Sequence, residues 1–195
     1  MNVYVLLFDQ YEPLDAFGPI EILGRAGHAI HLVSIQGGAV KDALGTEVVT
    51  EKAQPLPGIW LIPGGQGTRP LSRDRGFLKA LQECTAPASW ILSVCTGSAL
   101  LAAAGLLDGK RATSNKNAFR WVKSTGPRVL WQPCARWAAD GKFYTASGVS
   151  AGIDMALGFV ADREGKDAAQ ALAQHVEYVW NDHPEKDPFA VKESL

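Results

Sequence analysis

The chain is poor in cysteine and has no excess of charge. Its three cysteines, Cys84, Cys95 and Cys134, are odd in number and unrelated in spacing, which argues against a disulfide framework or a zinc site. Nineteen Lys and Arg stand against twenty Asp and Glu, giving a formal net charge of -1 with no basic tract and no acidic tail. Nucleic acid is therefore not an expected partner, and a small neutral ligand suits such a surface better. No apolar run approaches the length of a membrane span, so no membrane association is expected. The start Met-Asn-Val-Tyr-Val-Leu-Leu-Phe-Asp has neither a basic leader nor a small-residue cleavage site and reads as a strand. A reducing cytoplasm is the expected location. The four histidines, His28, His31, His175 and His183, form no cluster with Asp or Glu at ligand spacing, so neither a metal nor a cofactor is expected.

What is present reads as an ordinary globular chain, 47% hydrophobic and 20% charged, of a length that one domain over 1–195 accounts for. Residues 2–8 and 30–35 are β-branched and leucine-rich runs on either side of 16–26, where Phe17, Ile20, Leu23 and Ala26 recur at helical spacing. Residues 59–62 and 90–94 are apolar strands running into Pro63-Gly64-Gly65 and Cys95, and a helix is expected from Ser98 to Ala104. That helix should close at Gly105 or Gly109. Further along, 117–123 reads as a short helix and 129–130, 135–137 and 143–145 as strands, the last two joined by an Asp140-Gly141 turn. Helices near 150–163 and 166–180 complete the pattern, and 182–188 reads as irregular surface. Alternating strands and helices imply an α/β fold, a mostly parallel sheet with helices on both faces and ligands at the carboxyl ends of the strands.

Cys95 lies where a strand turns sharply into a helix. The first amides of that helix would favour thiolate over thiol, and Gly97 supplies the small side chain a tight turn needs, the logic of a nucleophile elbow. The competing reading is a buried structural cysteine. Cys84 and Cys134 lack that setting and read as structural or incidental. Asp9, Glu12 and Asp15, in the loop after the first strand, are candidate proton partners. Asp15 has the most apolar neighbours, which would keep its carboxyl protonated, but Asp is also a common helix cap, and spacing does not decide between the two. Gly64 and Gly65 place bare amides near the thiol, where with the Thr96 amide they could receive negative charge; glycine pairs are also simply turns. Gly64-Gly65-Gln66-Gly67-Thr68 lacks the spacing and lysine of a phosphate loop. Trp121, Trp131 and Trp137 read as core or subunit interface, the sharper alternative being the lining of an apolar substrate pocket.

These pieces carry a resemblance to the ThiJ/PfpI superfamily, whose fold is similar to that of flavodoxin and the class I glutamine amidotransferases. Leu14-Asp15-Ala16-Phe17-Gly18-Pro19-Ile20-Glu21 resembles its acidic loop and first helix, and Leu61-Ile62-Pro63-Gly64-Gly65 its glycine loop. Ser93-Val94-Cys95-Thr96-Gly97-Ser98 resembles its elbow, and Ser147-Gly148-Val149-Ser150-Ala151-Gly152 its late turn. Within the superfamily the chain is most similar to isonitrile hydratases, with Asp in the first loop and Cys-Thr-Gly at the elbow. The resemblance implies Cys95 as nucleophile, Asp15 as its carboxyl partner, Thr96 beside it, and the Gly65 and Thr96 amides as an oxyanion hole. Gly64, Asn115 and Gly148 are implied to border the pocket.

The implied reaction is cofactor-independent hydration of an isonitrile to a formamide, in a homodimer. Thr96 stands where protease-like members have His, which disfavours peptidase activity. Asn115 stands where many members have His, and it cannot shuttle a proton. Related transcription regulators add a helix-turn-helix module, which this chain is expected to lack. Two alternatives use the same sulfur: redox or electrophile sensing by an exposed, low-pKa Cys95, and glyoxalase or deglycase-like chemistry.

Overall fold

A computed structural model describes residues 1–190. The first apolar run forms β1 (Asn2–Leu6), and α1 (Pro13–Arg25) follows with its first residue a proline, whose missing N–H costs nothing at a helix start. After β2 (Ala29–Ser34) comes a hairpin, β3 (Gly38–Lys41) and β4 (Glu47–Lys52), then β5 (Ile59–Ile62). Two helices, α2 (Thr68–Leu71) and α3 (Arg75–Thr85), lead to β6 (Trp90–Ser93) and α4 (Gly97–Ala103). The second half contains β7 (Arg111–Ala112), α5 (Phe119–Thr125), β8 (Leu130–Trp131), β9 (Trp137–Asp140) and β10 (Phe143–Ala146). It ends with α6 (Ala151–Glu164) and α7 (Lys166–His175).

Eight strands form one sheet in the order β3-β4-β2-β1-β5-β6-β10-β9. From β4 to β10 every neighbouring pair is parallel; only the outer strands β3 and β9 run antiparallel to their partners. The centre is covered on both faces, which is why β5 and β6 read as unbroken apolar runs: all four residues of Ile59–Ile62 are buried. Helix α1 packs with α6 and α7, and α4 packs with α2 and α5.

The approach of α1 to α6 depends on missing side chains. A β-carbon on Gly18 would lie 2.9 Å from Ile153 Cγ1, and one on Gly152 would lie 2.9 Å from Val94. Gly18 lets α1 close on α6, and Gly152 lets α6 close on Val94, next to Cys95.

Three sequence expectations shift. The hairpin β3–β4 was not legible, because its strands are short, mostly exposed and polar; its turn is organised by Asp42, whose Oδ1 accepts from the amides of Leu44 and Thr46. The strand expected at 135–137 begins at Trp137 instead. The Arg136 and Trp137 amides both donate to Pro184 O, and the Arg136 side chain is buried against Asp154. The last helix stops at His175 rather than continuing to 180: Glu177 takes a φ of 51°, and Tyr178 and Trp180 turn back to bond Asp154.

Candidate active site

The elbow is built by close backbone contact. Strand β6 hands the chain to Val94, whose amide donates to Ile62 O at 3.0 Å, and Cys95 then turns to a φ of 56°. A non-glycine residue held in this left-handed region stores on the order of 1–3 kcal/mol, so surrounding bonds must enforce it. The Cys95 amide donates to Ser147 O at 2.8 Å, while Cys95 O accepts from Ser114 Oγ at 2.8 Å and Ser98 Oγ at 3.2 Å. Two residues on, a β-carbon at Gly97 would fall 2.3 Å from Ile62 O, so only glycine allows α4 to start here.

Asp15 is fully buried and does not cap its helix. The N-cap position of α1 is Glu12, and Asp15 lies one turn in, its Oδ2 accepting from the Gly64 amide at 2.9 Å. Its other oxygen, Oδ1, is buried. The carboxyl lies against Cys95, and the two side chains share a hydrogen bond. Of the alternative proton partners, Asp9 Oδ1 accepts from the Lys41 amide, whereas Glu12 is partly buried and near enough for its charge to help raise Asp15.

The electrostatics correct one expectation. Burial, aided by the neighbouring Asp15, pushes the Cys95 thiol up to about 12, although the amides of Thr96 and Val149 donate to the sulfur and act in the opposite direction. Desolvation outweighs those amides, so burial opposes the thiolate that the elbow's amides favour. Burial likewise lifts Asp15 to about 8, against the lowering effect of the Gly64 amide. Both shifts favour the protonated forms. Because Oδ2 accepts a hydrogen bond, the carboxyl proton belongs on Oδ1. The exposed cysteine that sensing would use is also corrected: Cys95 is 7% exposed.

Gly64 and Gly65 lie where the sequence placed them, with altered roles. A β-carbon on Gly64 would be 2.6 Å from Thr96 N and 2.8 Å from Asp15 Oδ2. The Gly65 amide donates to Thr96 Oγ1 at 3.1 Å, and Thr68 Oγ1 donates to the same oxygen at 3.0 Å. With its N–H occupied, Gly65 is not the open oxyanion donor expected of it. Thr96 instead ties the glycine loop to the elbow.

Asn115 and Gly148 border a cavity of about 240 Å³ with Lys116, Asn117, Ser147, Val149, Ser150 and Phe189. Its Ser147–Ser150 wall also holds the elbow, through Ser147 O and the Val149 amide. A larger cleft of about 750 Å³ beside Trp137 and Trp180 includes none of the predicted site residues. Ser114, Thr68 and Val149 were missed by sequence reasoning, since their roles depend on contacts across the fold. The histidines have contacts elsewhere: His28 with the N-terminus, His31 stacked on Tyr4, His175 with Arg25 and His183 beside Asp182. Among the described residues no group of His, Cys, Asp and Glu could hold a metal ion, and no helix is long and apolar enough to cross a membrane.

A parallel α/β sheet with a strained cysteine at its centre and a buried carboxylic acid beside it defines a class of cysteine-elbow proteins. The DJ-1/PfpI family model matches residues 1–162, and the chain belongs to that family. It is 34% identical over 182 residues to the isonitrile hydratase of Pseudomonas putida, covering 91% of this chain and 78% of the hydratase. It is 26% identical over 183 residues to the HTH-type transcriptional regulator GbdR of Pseudomonas aeruginosa, covering 89% of this chain and 49% of the regulator. The crystal structure of a ThiJ/PfpI family protein from Pseudomonas syringae superposes with a TM-score of 0.77 at 28% identity, covering 96% of this chain and 77% of that one.

Proposed function

We propose that the protein is a cofactor-independent hydro-lyase that adds water to an isonitrile, R–N≡C, to give the N-substituted formamide, R–NH–CHO. The observation that carries this reading is Asp15: its buried carboxyl is fixed by the Gly64 amide and shares a hydrogen bond with the Cys95 thiol. An isonitrile carbon needs both a nucleophile and a proton, and this pair offers them together.

In the first step sulfur bonds to the terminal carbon, Asp15 Oδ1–H delivers its proton to that carbon, and the thiol proton returns to Asp15. The product is a thioimidate, R–N=CH–S, on Cys95. Water then adds to the same carbon, with Asp15 giving its carboxyl proton to the nitrogen as it accepts one from the water. The resulting R–NH–CH(OH)–S adduct collapses to the formamide as the carbon–sulfur bond breaks and the thiol regains its proton. The Thr96 and Val149 amides at the sulfur favour its departure.

The protein is proposed to act in the cytoplasm as a homodimer of a single domain on a small-molecule substrate, and hydrolysis of peptides is not part of its repertoire. The test is formamide formation from a panel of alkyl and aryl isonitriles by the purified protein. Turnover that is lost in Cys95→Ala and Asp15→Asn supports the reading; no formamide from any isonitrile removes it.

A further inference from the structure

Ser150 stands at the N-cap of α6, where a serine hydroxyl usually accepts from the helix's first amides, yet it makes no such bond. Its Oγ instead accepts from Arg136 Nη2 at 3.2 Å. The same guanidinium donates from Nε to Asp154 Oδ2 at 2.8 Å, with Nη2 2.7 Å from that oxygen, so Arg136 grips α6 at Ser150 and again one turn on. Its backbone holds the residue after β10: Arg136 O accepts from the Ser147 amide at 2.8 Å. One residue at the start of β9 therefore fixes both ends of the 147–150 loop. Burying it is costly. The Arg136 side chain is 5% exposed and Nη1 has no hydrogen-bond partner. The charged groups that face it are Asp154 from α6, Asp187 Oδ1 at 3.8 Å from the C-terminal segment, and Lys116 from the loop before α5. A buried ion pair of this kind adds little net stability over apolar packing, which points to a role in position.

The segment between those clamped ends touches the elbow directly. Ser147 O accepts from the Cys95 amide at 2.8 Å, and the Val149 amide donates to Cys95 Sγ. Val149 has a φ of 28° and Cys95 a φ of 56°, so two strained non-glycine residues meet at the sulfur, and each needs outside bonds to stay there. We propose that Arg136 is a positioning residue for Cys95, holding the 147–150 loop through Ser150 so that the Val149 N–H stays aimed at the sulfur. That N–H stabilises negative charge on sulfur as it attacks carbon and again as it departs. The role rests on Cys95 as the nucleophile of the proposed hydration, but alkylation of the sulfur tests it without isonitrile turnover.

Iodoacetamide alkylation of Cys95 at pH 9, followed by peptide mass spectrometry, separates positioning from mere support, because the two move the rate in opposite directions. Loosening the loop with no aimed donor at stake uncovers a sulfur that is 7% exposed and speeds the reaction. Losing an aimed donor disfavours the thiolate. The rate then falls by about threefold or more, the effect of one hydrogen bond to a charged group after a partly compensating gain in nucleophilicity. Ser150→Ala removes only the acceptor for Nη2. Arg136→Lys keeps a cation for Asp154 but has no second nitrogen to reach Ser150, and thermal melting checks that each variant is folded. Both should react more slowly than wild type, and the double variant no more slowly than Arg136→Lys alone, since the two act through one bond. Faster or unchanged alkylation in Ser150→Ala, or multiplied slowing in the double variant, overturns the inference even if isonitriles are turned over. Should Arg136→Lys fail to fold, the direction of the change in Ser150→Ala decides. Slower alkylation without isonitrile turnover leaves the clamp standing and removes only the hydratase reading.

Discussion

Asp15 Oδ2 accepts the Gly64 amide at 2.9 Å across 49 residues of sequence, and that one bond decides which carboxyl oxygen can carry a proton to the sulfur's side. It also explains how a carboxyl with no exposure is tolerated: one oxygen is satisfied, and protonation removes the charge from the other.

The raised pKa of Asp15 makes stability depend on pH. The folded state keeps its proton up to about 8, whereas the unfolded chain releases it near the ordinary carboxyl value of 3.8. Between these limits the unfolded state binds fewer protons, so this group's contribution falls as pH rises and is fully present only below the unfolded value. Asp15→Asn should therefore gain stability relative to wild type across that window while losing activity. Denaturant titrations at pH 4, 6 and 8 check it; a constant difference would contradict the assigned titration.

Removing Asp15 should also free the thiol. Above about pH 8 the ionised carboxylate holds the Cys95 thiol up, adding to burial. Asp15→Asn removes the charge and lowers the thiol pKa, so alkylation of Cys95 by iodoacetamide at pH 9 should be faster in the variant. Mass spectrometry of quenched time points measures it, and equal or slower alkylation argues against coupling between the two groups.

The elbow's glycine is a packing requirement. Gly97→Ala places a β-carbon 2.3 Å from Ile62 O, a backbone atom that cannot rotate away. A loss of at least about 2 kcal/mol is expected, in the range of severe steric or strain substitutions. Urea denaturation reads it directly, and a variant as stable as wild type would show that α4 can shift.

Thr96 is predicted to act through the glycine loop. Thr96→Val leaves the Gly65 N–H without its acceptor and should cost about 1–3 kcal/mol, while Thr96→Ser restores it. The two variants should separate in both melting temperature and activity; indistinguishable behaviour would remove the tie between loop and elbow.

Much of this arrangement is legible in the amino-acid sequence, for definite reasons. Cys95 stood out because an apolar strand, a single reactive residue and Gly97 occur in direct succession. Helix α1 and the β9–β10 hairpin were marked by helical periodicity and by Asp140-Gly141. Asp15 was ambiguous because an acidic residue near a helix start caps helices and also supplies acids; Gly64, remote in sequence, resolves it. The resting thiol was misread because the elbow's local amides are visible in sequence and its burial is not. Gly65 was misassigned for a similar reason, since the Thr96 hydroxyl that occupies its amide arrives from another strand's end. Nothing in the segment 182–188 announced that Asp187 would be buried against Lys116 and Arg136.

The most direct measurement is a single-turnover quench with excess enzyme and an isonitrile from the same panel, followed by intact-mass and peptide analysis. A transient adduct equal to the mass of the whole isonitrile, confined to Cys95 and decaying at the rate at which formamide appears, is the predicted result. Formamide formation with no adduct, or undiminished formation by Cys95→Ser, would contradict covalent catalysis at the elbow.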